Sequence, residues 1–305
     1  MGEAGSHDTM DDRAYPLVAF LFAVLVSLSP AVGAAQERAE DIESTRGMAM
    51  GTGARASAAS TSAAAYNAAG LPQGRLYHLE GLVGYDAAYG RWSFGATAVD
   101  SMSNKLAAGL SIRAIMGDGE RGHSGLDGRL GLGLPLSDAF AIGLAGRYLS
   151  LSRDGQGAAG ETDGQTLAKG FTLDASIAVQ PAAGLRLAGL GYNLIDMDSP
   201  LAPRLIGGGA SFSTAEVFTL GADCLVDLST FDQAELIVGG GAEYLAAGRV
   251  PIRLGYEYDS GRHTHSVTGG VGYVDQQVGI DVALDQQVRG GTETRLLLAF
   301  RYFVR

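Results

Sequence analysis

Beyond Pro72 the chain falls into segments of about ten residues in which apolar side chains alternate with polar or small ones, separated by runs of turn residues. Successive side chains of a strand point to opposite faces, so this alternation predicts strands with one apolar and one polar face. In 171–180, Phe171, Leu173, Ala175, Ile177 and Val179 share one face, and Thr172, Asp174, Ser176 and Gln180 the other. In 217–228, Phe218, Leu220, Ala222, Cys224, Val226 and Leu228 oppose Thr219, Gly221, Asp223 and Asp227, with Leu225 the one exception. Segment 234–246 sets Leu236, Val238, Gly240, Ala242 and Tyr244 against Glu235, Ile237, Gly239, Gly241 and Glu243. In 251–259, Ile252, Leu254, Tyr256 and Tyr258 face away from Arg253, Gly255, Glu257 and Asp259.

About fourteen such strands are expected, beginning near residues 76, 91, 105, 124, 139, 168, 184, 203, 216, 234, 249, 264, 277 and 294. Every second connection, starting at 101–104, reads as a tight turn, and most of the others are longer and more polar, the longest running from Arg153 to Thr166. Short turns at one end and longer loops at the other are how outer-membrane barrels connect their strands. Tyr85, Tyr89, Trp92, Tyr148, Tyr192, Tyr256, Tyr258 and Tyr273 fall near strand ends, where an interfacial aromatic girdle belongs. The last strand puts Leu296, Leu298, Phe300, Tyr302 and Val304 on one face. The fold class expected is all-β, a transmembrane antiparallel barrel over 76–305. A soluble barrel would show the same alternation turned inside out.

Composition narrows the picture. The 305 residues include 46 glycines, which suit strands and turns better than helix interiors. A net charge of -11 argues against nucleic acid, whose phosphates require a basic partner. Cys224 is the only cysteine, so an intrachain disulfide is excluded. Residues 17–29 form an uncharged apolar run followed by small residues, with Val32/Ala34 or Gly33/Ala35 placed for cleavage. This reads as a signal peptide over 1–35, the run being short of the ~20 residues of a spanning helix. If the mature chain enters a membrane it does so as strands, and lipid then demands a closed barrel.

Between that segment and the first strand, residues 36–75 are rich in Ala, Gly and Ser, with little to build a core of their own. They fit either a disordered periplasmic extension or a compact plug whose small side chains let it thread into the barrel lumen. Within 45–71, Arg46, Gly47, Gly51 and Gly53, then Asn67, Ala69, Gly70 and Leu71, resemble the run that precedes the first strand in the FadL-like outer-membrane transporters of long-chain fatty acids and other hydrophobic compounds. PorV-type barrels share that architecture. The sequence departs at Ala68, where the family has proline. The resemblance implies a bacterial outer-membrane barrel with a plug and passive transport of hydrophobic molecules. Asn67, Ala69, Gly70 and Leu71 are then plug or ligand positions, and lipid and a hydrophobic small molecule are the partners. The alternative it implies is a closed barrel serving as adaptor or anchor for an exported protein.

Catalytic signatures such as G-x-S-x-G, H-E-x-x-H or a phosphate-binding loop do not occur, and neither an enzyme nor a cofactor is expected. His263 and His265 flank Thr264 and would need a carboxylate such as Asp259 to hold a metal; a solvated loop pair is the simpler reading, and no metal is expected. The remaining constellation is charge on the polar faces. Asp223, Glu243, Arg253 and Glu257 are the candidate lumen-lining residues, with Asp174, Asp227, Glu235, Asp281 and Arg301 beside them.

Overall fold

A computed structural model describes residues 44–118, 122–156, 162–215 and 217–304. The expected signal peptide lies outside them. Fourteen strands follow one another as antiparallel neighbours: β1 (Tyr77–Asp86), β2 (Arg91–Asp100), β3 (Ala107–Met116), β4 (Ser124–Ser137), β5 (Phe140–Gln156), β6 (Thr162–Ala182) and β7 (Leu185–Tyr192) make one half. The other half is β8 (Leu205–Thr214), β9 (Phe218–Asp227), β10 (Glu235–Ala246), β11 (Val250–Asp259), β12 (Thr264–Val274), β13 (Val278–Arg289) and β14 (Thr294–Val304). β1 pairs with β14 from Tyr77↔Val304 to Asp86↔Arg295, and the sheet is a closed barrel. Closure leaves no edge strand with unpaired main-chain groups.

The exterior carries the bulky apolar side chains. Leu254 is 66% exposed, and Phe94, Leu144, Phe171 and Phe300 also project from the wall. The buried polar face includes Ser111, Arg113, Asp127, Arg129, Arg147, Asp174, Asp223, Arg253 and Asp281. The bulky face is therefore outside, the reverse of a soluble barrel. Leu225, the exception to the alternation, sits on the inner face and is buried.

The end of the barrel where β1 begins and β14 finishes, here the near end, has the short connections 138–139, 183–184, 215–217, 247–249 and 275–277, and the longer 101–106. At the far end the chain crosses by 117–123, 193–204 and 228–234, among others. Exposed aromatics ring both ends: Tyr85 and Trp92, whose rings lie 4.7 Å apart, and Tyr256 at the far end, with Tyr77, Phe212, Tyr244, Tyr273 and Tyr302 at the near end.

Two expectations are corrected. The segment 153–166 is mostly strand: β5 and β6 pair as far as Gln156↔Thr162, while β4 pairs no further along β5 than Ser152. The hairpin thus stands past the neighbouring strand. Its polar, glycine-rich sequence reads as loop because an extension beyond the apolar band has no face to alternate, yet main-chain pairing needs none. Tyr192 does not belong to the girdle. It is 3% exposed and points inward, its hydroxyl donating to Tyr66 O at 2.5 Å.

Two measurements test the inverted polarity. Trp92 is the sole tryptophan and is 47% exposed on the outer face, so its fluorescence is expected to be quenched in vesicles of brominated phosphatidylcholine. Emission indifferent to the bromine would place the outer face in water. Leu254→Arg is expected to cost about 2–4 kcal/mol in urea-dependent folding into vesicles, as for a lipid-facing arginine near the midplane.

Candidate functional site

The barrel interior holds residues 44–74, which form a short helix α1 (Thr45–Ala49), a second helix α2 (Ser60–Tyr66) and a 3-10 turn (Ala68–Gln73). Ser44 caps α1, its hydroxyl accepting from Gly47 N at 3.0 Å. Tyr66 reaches back along the segment, and its hydroxyl accepts from Ser44 N at 2.7 Å. A Cβ on Gly47 would collide with that ring, so a side chain larger than glycine's hydrogen there would force the two helices apart.

The segment sits on the wall through main chain, and the wall makes room by lacking side chains. A Cβ on Gly241 would lie 2.6 Å from Met50 O, and one on Gly53 2.7 Å from Gly221 O. Gly239 and Gly255 face the same stretch, where Gly51 turns with φ +54°. On the opposite wall Ala58, Ala63, Ala64, Ala68 and Leu71 pack with Val99, Ala107 and Ala145. Leu71 is 0% exposed; burying such a side chain contributes about 1.5–3 kcal/mol.

Charge supplies the remaining ties. Arg55, 2% exposed, donates its main-chain N–H to Asp223 Oδ2 at 3.0 Å, and its guanidinium lies 3.5 Å from the same oxygen. That guanidinium also stands over the rings of Tyr66 and Tyr192. Arg46 donates to both oxygens of Glu243, from Nη2 to Oε1 at 3.1 Å and from Nε to Oε2 at 3.1 Å. Glu243 in turn accepts from Arg253 Nε at 2.6 Å; Arg253 donates to Asp281 at 2.5 Å, and Arg301 also pairs with Asp281. Arg46, Glu243, Arg253, Asp281 and Arg301 thus form one chain of ion pairs, with Arg55 and Asp223 a separate pair, and such pairing offsets the cost of burying charge.

Of the sequence-derived positions, Asp223, Glu243 and Arg253 meet in contacts with the segment or with each other. Glu257 is half-buried on the same face, and no ion pair joins it to another described residue. Asn67 ties the segment to itself, its side-chain amide donating to Arg55 O at 3.0 Å. Ala69 N donates to Ser176 Oγ at 3.0 Å, and a Cβ on Gly70 would meet Ala58 O. Asp174 accepts from Asn193 N at 2.8 Å. Asp227 and Glu235 lie at the rim, where Asp227 caps the turn to Thr230 and Glu235 accepts from Ser260. His265 packs against the rings of Tyr256 and Tyr258, while His263 occupies the preceding turn with φ 52°.

The same alternation sets three further arginines on the inner face. Arg113, Arg129 and Arg147 occupy inward positions on successive strands, and Arg147 is clamped by Asp127 at 2.7 and 3.1 Å. Arg129 reaches Ala65 O, Thr61 donates to Glu80 at 2.8 Å, and Ser60 meets Nδ1 of His78. The Phe303 ring lies 4.4 Å from that imidazole and covers it, so the serine and histidine act here as an anchor for α2.

Toward the far end one side of the inner face is apolar, while on the other Asp86 pairs with Arg91, Asp259 with Arg262 and Asp285 with Arg295. Ile115, Leu149, Leu151 and Ala168 pack with Leu201 and Ala202 of the connection 193–204. Beside them Leu190, Tyr192, Leu205, Leu225 and Ile237 form a second cluster with Ala56 of the segment. What the interior defines is a polar-lined barrel, filled by its own N-terminal segment, with buried apolar clusters on one side of its far end.

No protein-family model and no curated protein sequence matches the chain. Solved structures do. The toluene transporter TbuX of Ralstonia pickettii aligns with a TM-score of 0.62 at 15% identity, over 87% of this chain and 99% of that one. A FadL homologue of Pseudomonas aeruginosa gives 0.58 at 12% identity over 90% and 99%, and the toluene transporter TodX of P. putida 0.57 at 11% over 87% and 99%. At these identities the likeness is one of fold.

Gly241→Val is expected to leave the barrel closed, with a faster-running unboiled band on a gel, but to unseat residues 46–55 so that trypsin cuts after Arg46 or Arg55. Equal resistance of variant and parent to trypsin would show that the segment does not depend on the glycine wall.

Proposed function

We propose that this chain is a bacterial outer-membrane barrel that passively admits hydrophobic compounds, with residues 36–75 as its plug. The observation that carries the reading is the combination of an apolar exterior with a lumen filled by a separate small-residue segment beside buried apolar clusters. Wall side chains large enough to fill the lumen would make a fixed core. A segment resting on glycines and ion pairs fills the space and remains removable. The solutes named for the similar barrels, toluene among them, support the same direction. Asn67, Ala69, Gly70 and Leu71 then shape the plug, and Asp223, Glu243, Arg253 and Glu257 line the lumen behind it. Nothing in this mechanism requires a cofactor or a covalent step.

The test is uptake by cells with an intact lipopolysaccharide leaflet. Cells that express the protein are expected to take up labelled toluene or oleate several-fold faster than cells without it. Equal uptake, together with no binding of either compound by the purified protein, would refute transport. A second reading, an adaptor for an exported protein, is favoured by the filled lumen and the projecting β5–β6 hairpin. It requires a stable co-purifying partner that is lost on trimming the hairpin.

A further inference from the structure

The inward glycines of β9–β11 are accounted for by the segment that rests on them. The outward positions of the same part of the wall are not. Ala210, Ala222 and Gly240 face away from the lumen, Ala210 opposite Ala222 and Ala222 opposite Gly240 in the register, with Ala242 next along β10. A Cβ on Gly240 would meet no atom of residues 44–74. Between the exposed side chains of Phe212, Leu220, Leu254 and Tyr256, these small residues leave a depression of about 630 Å³ in the outer wall.

Toward the far end this apolar surface gives way to polar groups. The Tyr256 hydroxyl meets Nδ1 of His265, whose ring lies 6.0 Å from that of Tyr256 and 4.7 Å from that of Tyr258. With the phenol O–H donating to Nδ1, the imidazole carries its proton on Nε2, a donor that no described residue takes up. The register sets Tyr258 opposite His265 and His265 opposite Arg289. Their neighbours Asp259, Thr264 and Ser266 are buried and inward, so the row faces out. Arg289 is exposed, and no described residue pairs with it or with the Tyr258 hydroxyl. The carboxylates near it in the chain are engaged elsewhere, Glu293 with Arg295 and Asp259 with Arg262.

The two features suit the two ends of one lipid. Leu254 and its neighbours lie in hydrocarbon, and the row of Tyr258, His265 and Arg289 stands at the level of the headgroups, where interfacial tyrosines sit. A guanidinium flanked by N–H and O–H donors matches a phosphate, which accepts from arginine through two oxygens at once. The depression, lined by methyl groups and bare main chain, matches an acyl chain, whose methylenes restore the close contacts that the missing side chains forgo. Tyr256 belongs to both, as a wall of the depression and as the partner of His265.

We propose that the outer wall over β8–β13 binds a phosphorylated glycolipid of the outer leaflet, its phosphate on Arg289, His265 and Tyr258 and an acyl chain in the depression over Ala210 and Ala222. The proposal rests on the reading of this chain as an outer-membrane barrel with its far end outward, and not on transport. It is tested on the full barrel in detergent by native mass spectrometry, with lipid A as the probe. The parent is expected to retain lipid A, and Arg289→Gln with His265→Ala to bind it about tenfold more weakly, as for loss of a charge-assisted pair. Ala210→Leu with Ala222→Leu fills the depression, leaves the donors untouched and is expected to weaken binding as well. Dephosphorylated lipid A, and phosphatidylglycerol with its singly charged diester, are expected to bind more weakly than lipid A to the parent.

Lipid A held equally by the parent and the Arg289→Gln, His265→Ala variant, or undiminished by the two leucines, would overturn the proposal. So would phosphatidylglycerol bound as tightly as lipid A. A parent that forms a dimer split by the two leucines would assign the depression to a second copy of this chain, and would overturn it equally. Solute uptake has no part in these readouts, so failure of transport leaves the lipid site standing, whereas a parent absent from the outer-membrane fraction would remove both. A gel shift on boiling confirms a closed barrel for each variant, so loss of binding is distinguished from misfolding.

Discussion

Main-chain hydrogen bonding sets the terms for everything else in this molecule. A strand surrounded by apolar material cannot leave N–H and C=O groups unpaired, because each one costs several kcal/mol there. The ring solves this by pairing every strand on both sides, β1 with β14 included. Once the ladder is continuous, side chains need not be large to hold the wall together. The inner face can then be given over to glycine and charge, and that freedom is what admits a second piece of chain.

The interior illustrates how little side-chain volume such an arrangement needs. Met50 to Gly53 rest against Gly221, Gly239, Gly241 and Gly255, with arginines at Arg46 and Arg55 fixing the register of the stretch. The opposite wall uses alanine and one leucine in the same way. Where the segment ends, the wall's own apolar residues take over, and Leu205, Leu225 and Ile237 close the lumen toward the far end.

Much of the wall was legible from period-two alternation, because each inward or outward position follows from the one before it. Strand starts at 91, 124, 264 and 294 are where the pattern puts them, and Leu225 announced itself by breaking it. The extended β5–β6 hairpin was not legible: beyond the apolar band no contrast remains between faces. Tyr192 resembles the girdle tyrosines in sequence because β7 carries leucine on both faces, Leu187 outward and Leu190 inward, so apolar contrast does not tell its faces apart. The partners of the lumen charges were hidden for a different reason. Arg46 and Glu243 are 197 residues apart in sequence, and nothing local to either indicates the other. The composition of residues 36–75 showed that they could fit inside a barrel, but not which wall each half would choose.

The interior segment immediately precedes β1, and this has a consequence for the order of assembly. Gly74 leads into a strand whose second partner, β14, is the last to be made. Contacts of such sequence separation form late. If the ring closed first, helices and arginines would have to be threaded through a finished cylinder. The simpler sequence of events has residues 44–74 already lying on the curved, unfinished sheet when β14 reaches β1, so that the cylinder is wrapped around its contents.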